Sequence, residues 1–382
     1  MSAKTLENWS LLEHIGKGGS GDVYLARHKE FDQLAAVKIL RSGIETEEQR
    51  ILAELRHPNI AQLYAAGVTG DGNPYIVMEY VKGKRIDEYA NERALSVAER
   101  LALFAKVCDA VEYAHRNLVM HLDIKPANII VNADGEPKLL DFGIARRVGS
   151  SRPVVDQDVF TLPYASPEQL TPGAMLTTRS DVYSLGALLY HLLAGRPPLT
   201  PESDEPLPPS RAVLESRTVR SPKGQTLVLP AEKNAAFRSA SVRELERTLR
   251  GSLDNIALMA LRKEENRRYT SVDEFRRDIG RYLAGRPVHA RSDTLAYSAI
   301  RTARRYPLWL VAAVLALTTL SANWFLPWAL REQGASAASH AAALEKKIRP
   351  VREAIGRLRS QLTDDRVRAE VEQLEAALDV GP

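Results

Sequence analysis

The sequence predicts an α+β protein: a small β-rich unit, a larger helical unit, one transmembrane helix and a short helical tail. Three observations carry that expectation. Short β-like runs alternate with glycine turns over residues 9–80, helical periodicity takes over from about residue 86, and residues 306–330 form an uncharged apolar run.

The chain of 382 residues is longer than one ordinary core organises, which points to two or three units. Its 45% hydrophobic and 26% charged residues are those of a folded globular protein, so disorder does not describe most of it. The single cysteine, Cys108, excludes an internal disulfide framework and fits a reducing compartment. Its place in L-A-L-F-A-K-V-C-D-A-V-E-Y-A marks a buried helix residue rather than a reactive thiol. The start, M-S-A-K-T-L-E-N-W-S-L-L-E-H, carries acidic residues and no apolar centre, so no cleavable signal peptide is expected.

In the β-rich unit W-S-L-L-E-H-I, D-V-Y-L-A-R, L-A-A-V-K-I-L and P-Y-I-V-M-E-Y-V read as strands. Between the last two, residues 45–55 have helical character and end at H-P-N. Helices are then expected over 97–116 and 182–194, broken by a compact strand-and-loop region over 118–145. Residues 199–232 are rich in Pro, Ser and charge, which predicts a loop or a loosely ordered insertion. No repeat of 20 to 50 residues is present.

The formal charge of +4 does not signal nucleic-acid binding, because the basic excess is concentrated in one place. Arg276, Arg277, Arg281, Arg286, Arg291, Arg301, Arg304 and Arg305 end where the apolar run begins. A run of about 20 apolar residues crosses a hydrocarbon core of about 30 Å, and a soluble helix rarely stays apolar all round for so long. Trp309, Trp324 and Trp328 lie towards its ends, as an interfacial belt requires, and Pro307 and Pro327 also sit near the ends. Arginines on the N-terminal side, against Arg331 and one Glu on the other, predict a single-pass inner-membrane protein whose first 305 residues are cytoplasmic. The basic juxtamembrane segment 286–305 is also suited to anionic lipid.

The tail, residues 331–382, would be extracytoplasmic. Leu344, Ile348, Val351, Ile355, Leu358 and Leu362 are spaced as a coiled-coil seam. Pro350 interrupts it, so a new helix is expected to start near that residue. Thr363 followed by two Asp marks another helix start, and Val367, Val371, Leu374 and Leu378 continue the stripe. A helical hairpin and an oligomeric bundle both satisfy this pattern.

The chemistry centres on residues 119–128, V-M-H-L-D-I-K-P-A-N. A carboxylate, Asp123, can orient a hydroxyl nucleophile; Lys125 can hold a phosphoryl oxygen; Asn128 can ligate magnesium. Upstream, Gly16, Gly18 and Gly21 in I-G-K-G-G-S-G-D-V form a turn between two predicted strands, where missing side chains let backbone N–H groups approach phosphates. A dinucleotide fingerprint needs a helix next, and the strand-like D-V-Y-L-A-R excludes it. Lys38 lies on an apolar strand, where an inward ammonium needs an anion. Glu48 is a candidate partner, and Asp141 of D-F-G, after P-K-L-L, supplies a second carboxylate able to hold a metal.

In this order these elements resemble the eukaryotic-type protein kinases, over about residues 9–285. H-P-N-I-A, G-N-P-Y-I-V-M-E-Y-V, V-C-D-A-V-E-Y-A-H and D-V-Y-S-L-G-A-L-L-Y are most similar to bacterial membrane serine/threonine kinases. The resemblance implies a bilobal protein-kinase fold, with an N-lobe over about 9–81 and a C-lobe over about 82–285, and ATP with Mg2+, or Mn2+, in the cleft. Carried over, Ile15, Gly16, Gly18, Gly21 and Val23 cover the nucleotide, Ala36 lines its site and Lys38 binds its α and β phosphates. Glu48 positions Lys38, Asp123 is the catalytic base with Lys125 beside it, and Asn128 and Asp141 hold the metal. Met78 stands as gatekeeper, with the backbone of Glu79 to Val81 meeting adenine. Lys125 and Thr161 point to Ser/Thr acceptors in protein substrates. Glu168 is expected to pair with Arg268, and Asp181 to brace the catalytic loop.

Two positions depart from the family. Leu122 replaces the arginine that usually precedes the catalytic Asp and receives an activation-loop phosphate. Ser150, Ser151 and Thr161, with Arg146, Arg147 and Arg152, remain in that loop. Lys38 and Glu48 are only ten apart, so the helix bearing the partner is shortened and Glu47 is an alternative to Glu48. The reading is thus a membrane-anchored, autophosphorylating Ser/Thr kinase, with a nucleotide-responsive pseudokinase scaffold as the alternative and a homodimer formed through the tail or the membrane helix.

Overall fold

The structure is a computed structural model describing residues 6, 8–18, 21–40, 55–141, 146–147, 163–199, 205–220, 226–290, 345–354 and 357. It divides into two compact units, Met1–Ser292 and Asp293–Pro382. The membrane span expected over 306–330, the 45–55 helix apart from Leu55, Glu47, Glu48, Ser150, Ser151, Arg152, Thr161 and most of the tail lie outside the described residues. Among the described residues no helix is long and apolar enough to cross a membrane.

The first unit begins with β1 (Trp9–Gly18), β2 (Gly21–His28), β3 (Leu34–Leu40), β4 (Leu63–Val68) and β5 (Pro74–Glu79). They form an antiparallel sheet in the order β1-β2-β3-β5-β4. Alternation along β3 sends Ala35, Val37 and Ile39 to one face, where they meet Trp9, Ala26, Tyr75 and Val77 in a small core. Ala36, Lys38 and Leu40 point the other way and are also buried. A strand covered on both faces reads as a continuous apolar run, which is how L-A-A-V-K-I-L appears in sequence. β4 escaped the sequence reading: L-Y-A-A-G-V has small residues in place of β-branched ones, and one of its faces stays open to solvent.

The chain then enters β6 (Gly83–Arg85), α1 (Ile86–Glu92) and α2 (Val97–Arg116). α2 starts at a capping box, Ser96 accepting from Glu99 N while Glu99 accepts from Ser96 N. β7 (Val119–Met120), β8 (Ile129–Asn132), β9 (Pro137–Leu139) and β10 (Arg146–Arg147) follow, β8 pairing with both β6 and β9 and β7 with β10. α3 (Thr178–Ala194) begins four residues before the apolar run that predicted it. Its first turn is polar because Thr177 caps it and Ser180 and Asp181 are buried against polar partners.

The segment expected to be a loop over 199–232 is instead partly regular. It contains α4 (Pro209–Ala212), the antiparallel pair β11 (Arg217–Arg220) and β12 (Thr226–Leu229), and α5 (Ala231–Ala236). R-T-V-R and T-L-V-L have strand-like composition, which the surrounding Pro and Ser obscured. α6 (Val242–Leu249), α7 (Ser252–Ala260) and α8 (Val272–Leu283) complete the unit. The main core lies among α2, α3, α7 and α8, with Phe104, Leu188, Leu192, Ile256 and Phe275 fully buried.

Two buried arginines finish α3. Arg238 donates to the carbonyls of Leu193 and Leu192, and Arg100 to that of Leu192, so cations meet the exposed carbonyl end of the helix. At the other end of the unit, buried Asp278 on α8 accepts from the His289 and Ala290 backbone N–H groups at 2.7 and 2.8 Å and from the Tyr269 hydroxyl at 3.0 Å. The chain leaving α8 is thereby folded back on it.

In the second unit, α9 spans 345–354 and passes through Pro350, so the helix does not start at that residue as expected. Glu345, Lys346 and Lys347 are strong helix formers that carry the helix in from before the proline, and only the Lys346 carbonyl loses its helical donor. Arg349 and Glu353 add an exposed ion pair at 3.7 Å. Ile348 and Val351, two of the seam positions, are partly covered, whereas the residues around them are exposed.

Gly195 closes α3 with φ of 80°, and a Cβ there would stand 2.3 Å from Asn234 Oδ1, which orders Arg238. Gly195→Ala is expected to lower stability by about 1–3 kcal/mol, read as a lower urea midpoint at unchanged slope. An unchanged midpoint would refute this account of the α3 terminus.

Candidate active site

Residues 121–128 cross the site as an irregular segment between β7 and β8, and its shape is set by one carboxylate. Asp181, fully buried in the first turn of α3, accepts from His121 N and Leu122 N at 2.8 Å each and from His115 Nε2 at 2.7 Å. Burial alone would raise its pKa, but the bond and charge of His115 and the other donors outweigh this and hold it below the ordinary carboxylate value. The bracing role expected of Asp181 is thus visible as bonds.

His121 is also buried. Its Nδ1 accepts from Asp123 N at 3.2 Å, so Nε2 carries the proton and donates to Leu140 O at 2.9 Å. Leu140 N in turn donates to Asn128 O. The segment bearing Asp123 and the strand leading to Asp141 are therefore tied together by the His121 imidazole and a backbone bond.

Asp123, Lys125 and Asn128 converge as the spacing implied. Lys125 Nζ lies 2.8 Å from Asp123 Oδ2, and Asn128 Nδ2 donates to both Asp123 O and Asp123 Oδ2 at 2.8 Å. Burial pushes the Asp123 carboxyl up, against the opposing Lys125 charge and hydrogen bond and the Asn128 amide. Because Asn128 Nδ2 is committed to Asp123, Oδ1 is the atom that this residue can offer to a cation.

On the N-lobe side, Lys38 is 3% exposed, so its ammonium must be paired. It meets Asp141, donating to Oδ1 at 2.5 Å and Oδ2 at 2.6 Å. The partner on display is therefore Asp141, while Glu48 lies outside the described residues. Asp141 adopts φ of 56°, a left-handed conformation that turns the chain sharply after β9.

Above Lys38, Val23 of β2 pairs with Lys38, and Gly16 pairs with Val23. A Cβ on Gly21 would stand 2.1 Å from the Ile39 carbonyl oxygen, so glycine is required there by the sheet itself. At Gly16 a Cβ would make only an ordinary 3.8 Å contact, so packing does not demand glycine there. Gly18 pairs with Gly21, Ile15 is 41% exposed and Ala36 is buried opposite Met78. The Glu79 side chain is turned to Lys138 at 2.9 Å, which leaves only its backbone for the nucleotide contact expected at Glu79 and Val81.

The segment after Thr161 docks onto this loop. Glu168 and Arg268 form the expected pair, bidentate at 2.7 and 2.8 Å, with Arg268 fully buried over the Tyr183 ring. Sequence reasoning missed Gln169, which accepts from Ser166 N and Oγ and donates from Nε2 to Leu122 O at 2.7 Å. Leu122 itself is 2% exposed at φ 63°, with both backbone groups bonded, so no cationic side chain reaches out from this position. The identity of Gln169, one residue beyond S-P-E, was the only available signal.

The fold thus joins a glycine turn and a buried strand lysine to a carboxylate-lysine-asparagine loop, the arrangement that the resemblance implied. The comparisons agree. The family described as protein kinase domain matches residues 9–271. Serine/threonine-protein kinase PknB of Mycobacterium tuberculosis is 33% identical over 300 residues, covering 74% of this chain and 44% of its own. A protein of Streptomyces coelicolor named as a probable serine/threonine-protein kinase is 35% identical over 292 residues, covering 72% of this chain and 40% of its own. The chain belongs to the protein kinase family, on the side of the bacterial PknB-like members, and spans less than half the length of these relatives.

The opposing effects at Asp123 can be separated by titration. Followed by NMR, the Asp123 carboxyl should titrate above the ordinary aspartate range, and Lys125→Met should move it higher still, because the lysine is what holds it down. A downward move in that variant would show that Lys125 does not oppose burial at this site.

Proposed function

We propose that this chain is a serine/threonine protein kinase that transfers the γ-phosphoryl group of Mg-ATP to protein hydroxyls. The observation that carries the reading is the Asp123, Lys125 and Asn128 cluster, braced by Asp181 and tied through His121 to the strand that delivers Asp141 to Lys38. The residues fit the nucleotide and metal that the family uses. Asp141 and Asn128 Oδ1 are hard oxygen donors suited to Mg2+. Lys38 is a desolvated cation whose only carboxylate partner among the described residues is Asp141, and Gly16 has room that packing does not require.

Bound Mg-ATP supplies the phosphoryl group; the chain supplies position and charge. Lys38 and Lys125 bring positive charge to where phosphoryl oxygens gather it. Asp123, partly exposed and held by Asn128, is placed to accept a hydrogen bond from an incoming hydroxyl and then its proton. Its raised pKa makes it a better proton acceptor than an ordinary aspartate.

The same proposal places the enzyme at the inner membrane. Residues 306–330 would span the bilayer, the arginines of 286–305 would lie against anionic lipid, and the tail would favour self-association and phosphorylation between copies. The composition of the run and the charge asymmetry about it support this.

Asp123→Asn should reduce incorporation from labelled ATP into a basic test protein by about 100-fold or more, with the fold unchanged by circular dichroism. Equal incorporation by the two proteins would sink the kinase reading in favour of a nucleotide-responsive scaffold. Removal of residues 306–330 should shift the protein from the membrane pellet to the supernatant, and retention in the pellet after a carbonate wash would refute the span.

A further inference from the structure

The turn Pro126–Asn128 that follows Asp123 and Lys125 packs against β6 and α1, and α1 packs against α3. Where these elements meet the segment after Thr161 lies a charged cluster that the proposed chemistry does not use. Tyr164 hydroxyl is 2.6 Å from His191 Nδ1 on α3, and His191 Nε2 is 4.0 Å from Asp87 on α1. Burial, then Asp87, raises the Tyr164 pKa, and burial lowers that of His191. Tyr164 is therefore the donor and His191 is neutral, with Nε2–H facing Asp87.

Arg85 is held by Asp87 through two bonds, at 2.8 and 3.2 Å, and by Glu88 at 3.7 Å, while Arg196 is held by Glu215 at 2.6 Å. Arg217, at the start of β11, sits within electrostatic reach of Asp87, Tyr164, His191 and Arg196 and forms no ion pair among the described residues. Among the described residues, its Nε is the buried side-chain atom that lacks a hydrogen-bond partner. A buried guanidinium donor left unpaired beside a second arginine is costly, and an arriving anion relieves both the missing bond and the repulsion.

Gln169 ties the Tyr164 segment, which lies within electrostatic reach of Arg217, to Leu122 next to Asp123. Basic side chains from a substrate would be repelled by Arg217; acidic ones would complete it. We propose that Arg217, supported by Arg85 and the Tyr164–His191 pair, forms a subsite that selects protein substrates carrying an acidic or phosphorylated side chain near the phosphorylated Ser or Thr. The inference rests on the kinase reading above and names its substrate class. A forked guanidinium suits a carboxylate or a phosphate equally well.

The test is a set of peptides with one Ser or Thr acceptor, in which Ala, Asp, phosphoserine or Arg is placed in turn at each flanking position. Full-length enzyme should show a position where Asp or phosphoserine raises kcat/KM about tenfold over Ala. In Arg217→Gln that ratio should fall towards one, and in Arg217→Glu the preference at the same position should turn to Arg, a gain that misfolding cannot produce. No acidic preference in the wild type, or an unchanged ratio in both variants, overturns the proposal. Equal loss on all peptides in Arg217→Gln, while wild type carries a phosphorylated loop, would assign Arg217 to that loop and also overturn it. Phosphorylation of peptides without acidic preference leaves the kinase reading intact; failure to phosphorylate any peptide removes both.

Discussion

One buried carboxylate organises this molecule. Asp181 sits where a charge costs several kcal/mol unless its oxygens are fully engaged, and the groups that engage them are two successive backbone N–H groups and an imidazole. Satisfying that carboxylate fixes the path of residues 121 and 122, forces Leu122 into a left-handed conformation and aims Asp123 away from the core. The strained backbone at Leu122 is held because Asp181 and Gln169 grip it from both sides. The rigid helical core thus reaches Asp123 through a short chain of bonds.

The two lobes contribute opposite charges. β3 delivers a lysine that has nowhere to go except the cleft, because its neighbours on both faces are packed, and β9 delivers Asp141 to meet it. Without nucleotide, each neutralises the other. The ammonium and the carboxylate are therefore held together at the place where triphosphate and metal would separate them.

Much of this was legible in the sequence because period and spacing are local properties. The strands β1, β2, β3 and β5, helix α2, and the convergence of Asp123, Lys125 and Asn128 follow from patterns within a few residues, and the resemblance added the pairing of Glu168 with Arg268. What was not legible depends on distant partners. The Lys38–Asp141 pair joins residues 103 apart, and Gln169 reaches Leu122 over 47. Leu63–Val68 is a strand because β5 offers it an edge, not because its own residues prefer one. Pro350 was read by its cost alone, whereas flanking helix formers absorb that cost. Nothing local in the polar stretch around Arg217 sets it apart, and only the fold shows that its Nε lacks a partner among the described residues.

Asp278 has a mechanical meaning. The last described residues of the first unit, His289 and Ala290, hang from its carboxylate, and Asp278 is itself seated in α8, which packs along α2. Any tension on the chain beyond residue 290 is borne first by two short hydrogen bonds to one side chain. The load then passes into the helix pair at the centre of the lobe, sparing the outer strands. The fold therefore carries a built-in strain relief between residue 290 and the cleft.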